Sequence, residues 1–214
     1  MTGRKLLPLI ERNEIRRALS LADLQTQVMI LLSAHSGLRL VEMGSAEGND
    51  GLRLGNLPDL MLDGEISFSR TPATVQVTPR VHRRRRGILR HTSFLSTETC
   101  ETVRKYLKER AGSGEIMSKN SPLVKPPKTR TKFFRAREIQ TMVRRTIRRA
   151  GYKWSSRALR RRFAALLMIE GIRSEYVFYW MGRTVRQHPA LKPVSSPDFL
   201  EDMRKAYKRA EPIL

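Results

Sequence analysis

The chain has 214 residues, 40% hydrophobic and 29% charged, enough for one sizeable core and too apolar for a disordered chain. Its 42 Lys+Arg stand against 20 Asp+Glu, a formal net charge of +22, and such an excess calls for a polyanionic partner. A single cysteine, Cys100, excludes a disulfide framework and the usual zinc sites, and no apolar run approaches a membrane span.

Residues 1–20 are short and basic and read as a tail or a single helix ahead of one domain at 21–214. From Leu21 to His35 the pattern predicts a buried helix, with Leu24, Val28, Ile30, Leu31 and Leu32 on its apolar face and a break at Ser36-Gly37. Leu38 to Met43 starts a second helix, and 44–56 is a glycine-rich loop. An Asp63-Gly64 turn leads to EISFSR and ATVQVTP, both alternating in the manner of strands. After Arg83, Arg84, Arg85 and Arg86, Ile88 to Leu95 reads as a return strand, so Ala73 to Leu95 is expected to form a hairpin with a basic tip. Ser96 suits the N-cap of the helix TETCETVRKYLKER.

Residues 112–131 read as a surface loop. A helix over 135–150 carries Ile139, Met142, Val143 and Ile147. Then comes SRALRRRFAALLMIEGIRSEYVFYWMGR, the stretch richest in pattern. Arg157, Arg160, Arg161 and Arg162 open a helix whose apolar stripe is Leu159, Phe163, Leu166, Leu167 and Ile169. After Gly171 a further helix carries Tyr176, Val177 and Trp180 and stops at Gly182. Residues 184–196 are irregular, and a last helix runs from Asp198 to Ala210. Helices, a small sheet and more helices make a mainly helical α+β fold.

Arg157 and Arg160 lie three apart, near a helix N-terminus that is already partially positive. Cations there are disfavoured unless an anion sits between them, and a phosphate is the natural one. The bland alternative is a solvated basic face. Further clusters at Arg83 to Arg86, Lys125 to Lys132 and Arg144 to Arg149 spread the charge widely. That distribution suits a chain that wraps nucleic acid better than one that lies on a membrane. The lack of disulfides and of an apolar leader at the N-terminus is consistent with a cytoplasmic, nucleoid-associated protein.

The order of these parts resembles the catalytic domain of the tyrosine recombinases, the phage-integrase family, with the nearest likeness to archaeal members. SGLRLVEM looks like the first box of that family, with Arg39 as its arginine. RALR looks like the second box, normally His-x-x-Arg, with Arg160 as its arginine. WMGR looks like the Gly-His that follows. LPDLMLDGEISF, SFLSTETCETVRKYLKER and EDMRKAYKRAEP also resemble archaeal members, so the likeness extends over nearly the whole chain from Leu21. The resemblance implies site-specific DNA recombination or integration. A tyrosine attacks a phosphodiester, two arginines hold the non-bridging oxygens, and a lysine on the hairpin and histidines move protons. Neither a metal nor another cofactor is required. It implies double-stranded DNA as partner, with room for a homo-oligomer on that DNA. It also implies an N-terminal clamp domain, which is expected to be absent from this chain.

Several positions depart from the pattern. Arg157 stands where the second box wants histidine, Arg183 follows Gly182 in place of histidine, and Arg86 best matches the lysine position. Arginine binds phosphate well but is a poor proton donor. The segment after the Gly-His position, TVRQHPALKPV, holds no tyrosine, and the nearest downstream is Tyr207. Tyr207 is therefore a candidate nucleophile, although a packing role on the last helix is the commoner one. Arg83, Arg84, Arg85, Arg86, Arg161 and Arg162 are candidate DNA contacts. The expected function is that of a divergent recombinase with impaired catalysis. A non-catalytic module occupying recombination sites and a basic RNA-binding protein are the other readings.

Overall fold

The computed structural model describes residues 9–78, 90–127, 133–183 and 197–214. Its axis is α2 (Leu24–His35). Asp23 caps this helix, its carboxylate accepting the Thr26 N–H at 2.7 Å. Val28, Met29, Ile30 and Leu32 are all fully buried, although they point in different directions around the helix. The single apolar face expected from the sequence is thus too narrow, because α2 is covered on every side. Helices α1 (Arg12–Ser20), α4 (Thr97–Gly112), α5 (Ala136–Arg149) and α6 (Ser156–Ile169) all pack against it. Buried polar residues on α2 have specific partners: Gln25 donates to the Tyr106 hydroxyl at 2.9 Å, and His35 Nδ1 lies 2.9 Å from Ser96 Oγ.

The strands are short. β1 (Leu60–Met61) pairs antiparallel with β2 (Ser67–Phe68) around the Asp63-Gly64 turn. β3 (Ala73–Val77) pairs antiparallel with β4 (His91–Leu95), with Ala73 opposite Leu95 and Val77 opposite His91. The base of the expected hairpin is therefore present. Its basic tip, with Arg83, Arg84, Arg85 and Arg86, lies outside the described residues. α3 (Leu40–Met43), α7 (Ser174–Trp180) and α8 (Pro197–Ala210) complete the helices, and the architecture is the mainly helical α+β one.

A second, aromatic core joins β4, α6, α7 and α8. Trp180 meets Phe94 edge-on at 5.8 Å between ring centroids and Tyr207 at 5.7 Å. α8 is fastened to the hairpin base by Arg204, which reaches Asp59, the Pro72 carbonyl and the Thr74 hydroxyl. Cys100 is buried, and burial pushes its thiol up to about 12, so it is a packing residue.

Two expectations about the surface need correction. The 112–131 segment is not a plain surface loop, since Leu123, Val124 and Lys125 are buried. Glu115 holds both Arg110 and Lys125 at 2.6 Å, and Arg110 also donates to the Pro122 and Leu123 carbonyls. Burial raises the Glu115 carboxyl, but the hydrogen bonds from Arg110 and Lys125 outweigh it and hold it below its ordinary value. The second correction is Ile169, placed on the apolar stripe of α6 but 76% exposed at the helix end.

His35 generates a pH prediction. Burial, with the nearby Arg162, Arg12 and Arg16, drives its imidazole from 6.5 down to about 3. The unfolded chain takes up the proton below 6.5 and the folded chain does not, so stability is complete above that pH and falls towards 3. A loss on the order of a few kcal/mol is expected across this window. Urea unfolding at stepped pH should show the decline in the native chain and flatten it in His35→Asn.

Candidate functional site

Arg39 sits at the N-cap of α3, immediately after the Ser36-Gly37 break. Gly37 has φ +65°, and a Cβ there would lie 2.6 Å from the Phe163 ring, so only glycine lets the chain turn this close to α6. Glu42, one turn on, accepts both the Arg39 N–H at 2.6 Å and its Nη1 at 2.7 Å. The Arg39 Nη2 reaches the Gly182 carbonyl at 3.3 Å. From α6, Arg160 donates its Nε to the Gly37 carbonyl at 2.6 Å and its Nη2 to the Met181 carbonyl at 2.8 Å. Arginines far apart in sequence thus converge on two consecutive carbonyls at the end of α7.

That end of α7 is built for cations. The Arg183 N–H bonds back to the Phe178 carbonyl at 2.9 Å, closing the helix around Gly182 at φ +62°. Carbonyls left over at a helix C-terminus carry partial negative charge. Arg183 itself is exposed and lies over the Phe178 ring, its Cζ 5.2 Å from the centroid. Arg160 falls to about 10, mainly through burial, then through Arg39 and Arg183, with Glu42 opposing. Three arginines therefore face one carboxylate, and the local charge balance favours an added anion.

Each guanidinium has five N–H groups. Arg39 and Arg160 each direct two of them to the partners above, so among the described residues donors remain on both. The Arg39 side chain is 36% exposed. The pair can hold an oxyanion between planar forks, the geometry suited to phosphate.

Arg157 goes elsewhere. It is exposed and lines a cavity of about 1090 Å³ between α5 and the start of α6. Arg137, Arg144, Arg145, Arg148 and Lys153 share that lining, together with Trp154, and among the described residues no acidic one does. Arg137, Arg144 and Arg148 fall on one face of α5 by their three- and four-residue spacing, while Ile139, Val143 and Ile147 face the core. The shared face inferred for Arg157 and Arg160 is not realised, because Arg160 turns in to the carbonyls and Arg157 turns out.

Other expected positions separate as well. Arg161 is exposed on α6. Arg162 is corrected from a candidate DNA contact to a buried tie, only 3% exposed. It donates to the carbonyls of Ile10 at 3.0 Å and Leu214 at 2.7 Å, pinning the two ends of the described fold together. Tyr207 is corrected from candidate nucleophile to core residue. It is fully buried against Phe94 and Trp180, its hydroxyl donates to the His35 carbonyl at 2.6 Å, and burial raises it well above the usual phenol range. Arg86 and the segment 184–196 lie outside the described residues.

No family model matches the chain, and no curated protein matches it. Solved structures do. A XerA recombinase aligns with TM-score 0.59 and 18% identity over 97% of this chain and 67% of its own. An integrase from mycobacterium phage Brujita aligns with TM-score 0.62 and 18% identity over 100% of this chain and 61% of its own. A XerH site-specific recombinase, bound to its difH substrate in a pre-cleavage complex, aligns with TM-score 0.56 and 18% identity over 95% of this chain and 51% of its own. The chain has the fold of a tyrosine-recombinase catalytic domain. This tyrosine-recombinase fold spans about half to two thirds of the length of those neighbours.

Sequence reasoning passed over two features of this site. Glu42 stood in SGLRLVEM without a role, and its signal was the three-residue spacing from Arg39. The α5 cations appeared only as a run, and their signal was an arginine stripe opposite an Ile/Val stripe. Tyr207→Phe is expected to lower stability by ~1 kcal/mol through the lost hydroxyl bond, as thermal melts would show.

Proposed function

We propose that this chain is the DNA-engaging domain of a tyrosine-recombinase-type protein, with the phosphate site retained and the cutting chemistry impaired. The observation that carries it is the meeting of Arg39 and Arg160 on the Met181 and Gly182 carbonyls. Two forks held by the backbone, with N–H groups to spare, suit the non-bridging oxygens of a phosphodiester. Arg183 adds charge at the edge of the same site. The cationic cavity of α5 and α6 adds a second surface for the phosphate backbone, with Arg157 as part of it. Double-stranded DNA is the partner that fits both surfaces, and one structural neighbour is described as bound to its substrate. A homo-oligomer on that DNA and a place on the nucleoid in the cytoplasm belong to the same reading. No described helix is long and apolar enough to cross a membrane.

The impairment is supported by what surrounds the arginines. Tyr106 and Tyr176 share hydrogen bonds with Gln25 and Asp202, and Tyr152 stacks with Trp154. Tyr207 faces the core, and Tyr179 is buried on α7. The sequence of 184–196 contains no tyrosine to attack phosphorus. Arginine at positions 86, 157 and 183 supplies charge where the resembled pattern has proton-moving groups, and losing one such group typically lowers a rate ~10²–10⁴-fold. The burial of Tyr207 favours a second reading, a non-catalytic module that occupies recombination sites.

Two measurements test this. Duplex affinity should fall steeply with salt, with a log–log slope of about −5 for some six phosphate contacts, and Arg144→Ala with Arg148→Ala should flatten it by about 2. A flat response, or preference for structured RNA over duplex DNA, contradicts the proposal. A suicide substrate nicked near the scissile phosphate should yield no covalent adduct on denaturing electrophoresis. An adduct lost in Tyr207→Phe would mean that the last helix moves to deliver its tyrosine.

A further inference from the structure

The arginine pair depends on two turns, Ser36-Gly37 and Met181-Gly182, that come from distant parts of the chain. β4 lies under both. Side chains on a strand alternate, so His91 and Ser93 project from the same face. Ser93 Oγ donates to the Ser36 carbonyl at 2.7 Å, one residue before the carbonyl that receives Arg160 Nε. His91 is buried, and its ring abuts Gly182 so closely that a Cβ there would lie 2.5 Å from its Cε1 and 2.9 Å from each ring nitrogen. The Gly182 carbonyl receives Arg39.

We propose that His91 and Ser93 are positioning residues that set the two arginines of the phosphate site, a proposal that rests on the reading of Arg39 and Arg160 given above. Ser93 fixes the height of the first turn through a hydrogen bond. His91 fixes the second by contact, as a flat ring on which the glycine turn rests. A rigid pair of strands sets the spacing between them, since β3 and β4 are paired at every position from Ala73 opposite Leu95 to Val77 opposite His91. Neither residue meets the bound anion. Both act through the carbonyls that orient the guanidinium groups, and a site so built is preorganised before any ligand arrives.

The test uses the full chain with arginine Nε–H resonances followed by NMR, alone and titrated with inorganic phosphate. Ser93→Ala, which removes a single hydroxyl, should shift the Arg160 resonance in the free protein. His91→Ala should shift both Arg39 and Arg160. In each variant phosphate affinity should fall roughly tenfold, less than the penalty for a full ångström of misplacement. Native melting behaviour with unchanged resonances and unchanged affinity in Ser93→Ala and His91→Ala would overturn the proposal. Failure of the native chain to bind phosphate would instead remove the phosphate reading, while the free-protein resonances would still decide whether β4 positions the pair.

Discussion

Two backbone carbonyls at the end of one short helix determine how this protein uses its charge. Met181 and Gly182 accept from Arg160 and Arg39, and without them the two guanidinium groups would repel across an open turn. The arrangement needs a glycine in the left-handed region at 182, a ring beneath it from His91, and a second glycine turn at 37 against Phe163. It also needs the aromatic core of Phe94, Phe163 and Trp180, which fixes α7 to β4 and α6. The site is therefore a property of the whole second core rather than of the boxes that carry its arginines.

Two populations of cations among the described residues contrast sharply. One is internal. Arg110, Arg162 and Arg204 are buried, and each donates to main-chain carbonyls, two of them with carboxylate partners as well. Removing such a partner leaves a buried charge without compensation, which is strongly destabilising. The other population, in the α5 cavity, has no acidic residue among the described residues of its lining. A field of one sign works against stability, and it suits an external polyanion. The net charge alone does not distinguish buried from exposed cations, since Arg161 is exposed and its sequence neighbour Arg162 is buried.

Much of the fold was legible. Hydrophobic spacing located α2, α5, α6, α7 and α8, the Ser96 cap located α4, alternation located β2 and β3, the return after the arginines located β4, and glycine punctuation located the turns. Arg39 and Arg160 were read from their boxes, and their meeting is a tertiary fact. Several readings failed for physical reasons. Periodicity cannot show that α2 is covered on all sides. Loop composition at 112–131 concealed the buried Glu115 cluster, because Lys and Glu are polar until they pair. Helix spacing put Arg157 beside Arg160, but long side chains choose their own directions, and Arg160 followed the carbonyls. The archaeal likeness rests on sequence alone.

The central claim is that Arg39 and Arg160 hold one phosphate group together. A double-mutant cycle in duplex DNA affinity, with Arg39→Ala, Arg160→Ala and their combination at one fixed salt concentration, tests it most directly. Groups sharing a single ligand are expected to couple by about 0.5–3 kcal/mol, so the double variant should lose less than the sum of the single losses. Strictly additive losses would mean that the two arginines meet different phosphates, or none, and would contradict the account.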